Sequence, residues 1–230
     1  MSALESTVRA AHAALDRRAE AYLEQHRLGL SCRKGCFSCC LALVVVGLAE
    51  AEYLRERLEP EVLKRVEQAG QKRLKRIARE KHRPDFATRY FLEANRCPVL
   101  AEDGSCSAHA ARPLACRGVL TDLEARYCAP GAVPGLKGKD KSAYQGRLTA
   151  QHGPEHYLKA PWQSSERQAQ RLWELERRQR GFTVIGELAG LIYLLGLGEF
   201  RAALEGGLPP TQQYLEGWKV LGGDWGFWAG

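Results

Sequence analysis

Residues 31–40 read Ser31-Cys32-Arg33-Lys34-Gly35-Cys36-Phe37-Ser38-Cys39-Cys40. Four of the chain's eight cysteines stand in this stretch, and the other four, Cys97, Cys106, Cys116 and Cys128, return together further on. Thiolates crowded this closely repel one another unless a cation neutralises them or they oxidise. Metal binding is therefore the leading reading, with thiol redox chemistry and structural disulfides as the alternatives. It also decides the fold class: a mainly α, single helical domain around an irregular cysteine-rich metal-binding centre.

The rest of the chain weighs against the oxidised alternatives. Disulfide frameworks belong to short secreted domains that cannot build a core, whereas 230 residues, 45% of them hydrophobic, suffice for one substantial domain. The first twenty residues carry Glu5, Arg9, Asp16, Arg17, Arg18 and Glu20 and show no apolar run of signal-peptide type. The expected location is cytoplasmic, a reducing compartment in which clustered cysteines serve as metal ligands or redox groups. Leu188 to Gly198 is the most apolar stretch, but a bilayer span needs about twenty residues, so it reads as a buried helix and no membrane partner is expected.

Outward from the cysteines the periodicity is helical. Leu4, Val8, Ala11, Leu15, Tyr22 and Leu23 recur at helical steps over residues 2–28, and Gly29 supplies a stop. Leu41 to Val46 is a short apolar run, either a buried strand or the first buried turn of the next helix. Helices are expected over Ala49–Leu58, over Glu61–His82 after Pro60, and over Asp85–Asn95. Between Cys97 and Cys106, Glu102-Asp103-Gly104-Ser105 signals a tight hairpin. Residues 129–146, rich in Gly and Pro, read as one long loop. C-terminal helices are expected within 164–217, as Ser164–Arg180, Thr183–Leu197, Glu199–Leu204 and a short one after Pro209-Pro210. The aromatic tail with Trp225, Phe227 and Trp228, together with Trp218, should pack on the body or on a partner subunit. The expected organisation is one domain, 1–230, with a cysteine core over 32–128.

The first group reads Cys32-x3-Cys36-x2-Cys39-Cys40, and the second runs Cys97-Pro98-Val99-Leu100, Cys106, His109, Arg112-Pro113, Cys116-Arg117-Gly118 and Cys128 after Thr121-Asp122. At these residues, over about 32–128, the chain resembles the YkgJ-like cysteine-cluster family, described as zinc- or iron-chelating domains with a CxxCxxCC-type opening and a CP-x-L…C…RP…CR block. Two departures stand out: three residues separate Cys32 from Cys36 instead of two, and His109 stands where the family often has tyrosine. The flagellin lysine N-methylases share a similar cysteine motif and are associated with an iron-sulfur cluster. The resemblance implies that Cys32, Cys36, Cys39, Cys40, Cys97, Cys106, Cys116 and Cys128 are metal ligands.

One four-thiolate zinc site cannot use eight cysteines, and adjacent Cys39 and Cys40 point away from a single simple tetrahedron. Two zinc ions, a multinuclear zinc cluster, or one iron-sulfur cluster with four cysteines left over all satisfy the count. His109 reads as a solvated or outer neighbour of the ligands, and Arg112 and Arg117 as cations that hydrogen-bond sulfur or as surface ion pairs.

The formal charge is +7, and between Glu61 and Arg96 eleven Lys or Arg face five Asp or Glu. Arg65, Lys72, Arg76, Arg79 and Arg83 would line a ridge about 25 Å long on a helix. Such a ridge could track nucleic-acid phosphates, although a solvated helix face gives the same pattern. The Gly138-Lys139 loop lacks the first glycine and the Ser/Thr of a phosphate loop, and no HExxH, GxSxG or GxGxxG motif is present. Three functions are expected on these grounds: a metal-binding protein holding an iron-sulfur cluster or zinc, a cluster-dependent enzyme of redox or methyl-transfer type, and a nucleic-acid-associated protein. Neither the oligomeric state nor a catalytic residue is legible in the sequence.

Overall fold

The computed structural model describes residues 3–153 and 156–230, and the chain is a single, mainly α-helical domain. Helix α1 (Ala3–His26) buries Val8, Ala11, Leu15 and Ala19, the three- and four-residue steps that the periodicity predicts. It is followed by α2 (Leu48–Arg55), α3 (Pro60–Glu80), α4 (Phe86–Leu92), the one-turn α5 (Leu114–Arg117), α6 (Ala132–Gly135), α7 (Gly138–Arg147), α8 (Lys159–Arg180), α9 (Leu188–Leu195), α10 (Gly198–Glu205) and α11 (Leu208–Gly217). Pro60 stands in the first turn of α3, where its missing N–H has no intrahelical partner to lose.

Three short strands, β1 (Val45–Gly47), β2 (Val184–Glu187) and β3 (Trp228–Ala229), form one antiparallel sheet in the order β1-β2-β3. Val45 stands opposite Glu187, and Val184 opposite Ala229. The open alternative over Leu41–Val46 resolves to a strand only at Val45 and Val46, while Leu41 ends a 3-10 turn. The expected helix over Thr183–Leu197 divides: its first residues are β2, because Val184 and Ile185 pair with the C-terminal tail, and the helix begins only at Leu188. Strand then helix occurs twice, β1 into α2 and β2 into α9, and the two units pack together through the sheet and through α2 against α9.

Helices α3 and α9 make the most extensive contact between two elements among the described residues. Gly70 permits it: a Cβ there would lie 2.1 Å from the Ala189 carbonyl oxygen. Val66, Leu74 and Ile77 on α3 and Leu188, Leu191, Ile192, Leu194 and Leu195 on α9 are buried in the main core. The tail packs as expected, with Phe227 1% exposed and Trp225 N–H donating to the Lys81 carbonyl, while Trp228 stays exposed on the sheet edge.

The segment read as a long loop, 129–146, contains α6 and α7 instead. Tyr144 is buried against Tyr127 and Leu123, and this small apolar cluster holds α7 helical despite Gly138 and Gly146. No helix among the described residues is long and apolar enough to cross a membrane.

Candidate metal centre

The two cysteine stretches are irregular, and backbone hydrogen bonds join them. A 3-10 turn over Ser38–Leu41 carries Cys39 and Cys40, and the Cys40 carbonyl accepts from Cys97 N–H at 2.9 Å. Ser31 N–H donates to the Thr121 carbonyl at 3.0 Å, placing the start of the first stretch beside the end of the second. Leu100 and Cys106 form an antiparallel bridge across the expected hairpin, with Gly104 at φ +77 in its turn, a conformation glycine adopts without strain. Cys116 rides on α5, whose first amide, Leu114 N–H, donates to Glu50 Oε1 at 2.7 Å. Cys128 closes a 3-10 turn, Ala125–Cys128, that packs on Ser38–Leu41.

All eight cysteines are free thiols; seven are half-buried and Cys128 is buried. Burial raises the thiols of Cys32, Cys97, Cys106 and Cys116, that of Cys116 furthest, and pushes Cys128 up to about 12. Cys39 and Cys40 are hydrogen-bonded to each other, which lowers Cys39 to about 7 and raises Cys40. Electrostatic coupling maps which thiols are neighbours. Cys40 feels Cys39, Cys97 and Cys116; Cys116 feels Cys97, Cys39 and Cys106. On the other side Cys128 feels Cys32, Cys36 and Cys39, and Cys32 feels Cys39 and Cys36. By these interactions Cys40 is linked with Cys97 and Cys116, and Cys116 in turn with Cys106, whereas Cys128 is linked with Cys32 and Cys36. Cys39 stands within reach of both.

Arg112 is the cation that reaches the most thiols of this centre, and Arg73 acts on Cys97. Arg112 favours the charged forms of Cys32, Cys39, Cys106 and Cys116, and its Nε is buried without a hydrogen-bond partner. Arg117 takes a different place: Nε donates to the Arg112 carbonyl at 2.8 Å, Nη1 to Asp16 Oδ2 at 2.6 Å, and Nη2 to the Ala110 carbonyl, so it ties the cysteine stretch to α1. His109 is exposed and faces away into a cleft of about 740 Å³ between α1 and residues 109–120. Burial, then Arg112 and Arg117, lowers its pKa. The cleft is also lined by Arg112 and by His12, which is 4% exposed; His12 Nε2 lies 3.4 Å from Glu50 Oε1, and its Nδ1 has no partner.

One residue of the centre is invisible in the sequence. His156 is 3% exposed, with Nε2 3.3 Å from Cys128 Sγ and Nδ1 3.2 Å from the Tyr144 hydroxyl. Burial lowers its pKa to about 4. It lies twenty-eight residues beyond the last cysteine, outside any ligand spacing, and only the folding of α7 back onto Tyr127 brings it to the centre. The one available signal is a histidine after an apparent loop, which carries little weight alone.

Among the described residues no three His, Cys, Asp or Glu side chains are arranged as they would be around an ion. Thiol hydrogen bonds join Cys40 to Cys39 and Cys32 to the Thr121 carbonyl, the latter at 3.9 Å. The chemistry of the set nevertheless suits a thiophilic cation: crowded sulfurs repel one another as thiolates, and an ion among them would replace that repulsion with attraction. The basic ridge of α3, by contrast, is largely engaged within the chain. Arg65 donates to the carbonyls of Pro98 and Leu100, Arg76 pairs with Glu80 and Glu93, and Arg83 lies 3.6 Å from Asp85.

Residues 31–130 match the CxxCxxCC family model, described as a "putative zinc- or iron-chelating domain". Helix α1 and everything from α6 onward lie outside the match. No curated protein and no solved structure matches the chain.

Proposed function

From the premise that residues 31–130 belong to the CxxCxxCC family, we propose that the chain is a metal-binding protein that holds zinc or iron at two adjacent positions in its cysteine centre. The observation that carries this reading is the meeting of two distant stretches: Cys97 N–H donates to the Cys40 carbonyl, and the turn that ends in Cys128 packs on Ser38–Leu41. Cys40, Cys97, Cys106 and Cys116 supply one all-sulfur set, suited to a zinc tetrahedron or to an iron-sulfur cluster. Cys32, Cys36 and Cys128 belong to the second, with Cys39 at the junction. When bound, the metal supplies charge neutralisation that lets buried thiolates coexist, and so links residues 31–40 to residues 97–128. Arg112 lowers the net charge of the loaded centre from outside.

Anaerobic purification with elemental analysis and a visible spectrum tests this directly. We expect more than one metal equivalent per chain, colourless for zinc or brown with stoichiometric sulfide for an iron-sulfur cluster. Cys36→Ser and Cys116→Ser should each lower metal content and melting temperature together. A chain in which either variant keeps its full metal complement does not join the two stretches into one centre.

The cleft beside Arg112 favours a second reading, a metal- or cluster-dependent enzyme. It opens between α1 and the centre, presents the unpartnered His12 Nδ1, and shares Arg112 with four thiols. On this reading some small molecules raise the melting temperature of the metal-loaded chain, and Ala13→Trp, which fills the cleft mouth, abolishes the rise. A metabolite screen with no hit sensitive to Ala13→Trp excludes it.

A further inference from the structure

We infer that His156 is a metal ligand, completing a three-sulfur, one-nitrogen set with Cys32, Cys36 and Cys128; the inference rests on the two-position reading above. His156 lies outside residues 31–130, so nothing in the family match assigns it.

The argument begins with placement. Nε2 of His156 stands 3.3 Å from Cys128 Sγ, and the turn that ends in Cys128 packs on the Ser38–Leu41 turn, two residues past Cys36. One residue ties the imidazole and the first cysteine to the same spot: Thr121 Oγ1 donates to the His156 carbonyl at 3.0 Å, while the Thr121 carbonyl faces Cys32 Sγ at 3.9 Å and accepts from Ser31 N–H at 3.0 Å. Any shift of His156 would therefore be felt at Cys32.

The ring is also held in the way that ligating histidines are held. A metal-bound imidazole coordinates through one nitrogen and donates the other N–H to a fixed acceptor. With Nε2 facing Cys128, Nδ1 is left for the Tyr144 hydroxyl at 3.2 Å. Tyr144, Tyr127 and Tyr157 wall the ring, with centroids 5.9, 6.5 and 5.1 Å away. The backbone of His156 sits at φ +63, a left-handed conformation that non-glycine residues adopt at some cost. Two hydrogen bonds and three aromatic walls sustain that cost at a single side chain, and their joint effect is to aim Nε2 at the thiols. Three sulfurs and one imidazole are also a common zinc donor set, and the assignment leaves Cys39 free of the second position.

The test loads the full chain with zinc(II) under reducing conditions and compares metal per chain. His156→Asn should lose one metal equivalent, His156→Cys should restore it, and Cys40→Ser should lose metal from the other position and keep that of His156. Full retention of zinc by His156→Asn overturns the assignment. For a readout that needs no variant to fold, the wild-type chain is loaded with cadmium-113 and carries nitrogen-15 histidine. One cadmium resonance should be split by coupling to a histidine nitrogen; cadmium resonances without such splitting overturn the assignment while leaving the two-position reading intact. A wild-type chain that binds no zinc overturns both.

Discussion

The helical body, built around α2, α3 and α9, and the cysteine-bearing stretches, residues 31–41 and 97–128, are held by different forces. In the body, α9 buries Leu188, Ala189, Gly190, Leu191, Ile192, Leu194 and Leu195, and each leucine removed from water contributes on the order of 1.5–3 kcal/mol. The cysteine stretches have only one-turn helices and 3-10 turns. Part of their apolar surface, Val99 and Leu114, reaches the main core, but Leu120, Leu123 and Tyr127 rest on two satellite clusters of three buried residues each. What positions the cysteines is a set of polar pins from the body: Glu50 on the Leu114 amide, Arg73 on the Arg96 carbonyl, and Arg65 on the Pro98 and Leu100 carbonyls. The body is a core with helices around it; the cysteine region is a set of loops pinned to that core.

The comparison breaks most visibly if the metal is stripped. Structural zinc contributes an apparent 10–16 kcal/mol or so to small thiolate domains, far more than any pin. Chelation under reducing conditions should therefore remove amide-exchange protection from residues 97–128 while α3 and α9 keep theirs. Hydrogen exchange on the holo and stripped chain measures this, and equal protection of both regions after stripping would mean the body alone specifies the cysteine fold.

Next in size is the seam between the two regions. Arg73 Nη1 lies 2.6 Å from Glu187 Oε1, both side chains are nearly buried, and Glu187 also caps α9 through Gly190 N–H at 2.7 Å. Arg73→Met leaves a buried carboxylate without its cation, which costs on the order of 3–5 kcal/mol. Denaturant unfolding should show that loss, and because Cys97 lies in the field of the same pair, metal release should accelerate with it.

Within the body, Glu176 offers a pH signature that the cysteine region should not share. Its carboxylate, fully buried, accepts from Ala49 N–H and from the Thr183 hydroxyl, but burial dominates and raises its pKa from 4.5 to about 7, with Arg180 opposing and Glu52 adding to the shift. Between those values the folded chain holds a proton that the unfolded chain has lost. Stability from this group is complete below about pH 4.5 and declines as pH rises to about 7, by about 3 kcal/mol at most. Glu176→Gln should flatten the difference: the variant gains on the wild type between pH 5 and pH 7.5, in stripped and loaded chain alike. A wild-type-minus-variant difference that stays constant across that window would show that Glu176 is ionised in the fold.

The sequence makes the body legible and the centre only partly so. The stripe of Val66, Leu74 and Ile77 on α3 and the apolar run of α9 are periodic and local, and both elements form where periodicity places them. The start of β2 reads as helix because Val184 and Ile185 take their conformation from a partner strand at the far end of the chain, which no local window contains. In the centre, the cysteines announce themselves by crowding, and the two stretches do meet. What spacing does not reveal is which thiols are neighbours, since that depends on Thr121, Glu50 and Arg112 closing loops across tens of residues. His156 is hidden for the same reason: α7 reads as a glycine- and lysine-rich loop until Tyr144 finds Tyr127.

The smallest effect should come from Arg65, and it sharpens the comparison by separating stability from access. Its guanidinium donates to Pro98 and Leu100 carbonyls at 3.1 and 3.3 Å on the exposed side of the Cys97–Cys106 hairpin. Water can take over both carbonyls when the side chain is removed, so Arg65→Gln should cost no more than about 1 kcal/mol, a fall of about 2–4 °C in Tm for a chain of this size. The hairpin nevertheless loses a side chain of α3 that bridges two of its carbonyls. Opening of the hairpin exposes Cys97 and Cys106 to chelator, so the rate of metal loss should rise several-fold even where Tm barely moves. A variant whose metal leaves at the wild-type rate would show that the hairpin is held by its metal alone, and that the pins from the body guide its folding without guarding the loaded centre.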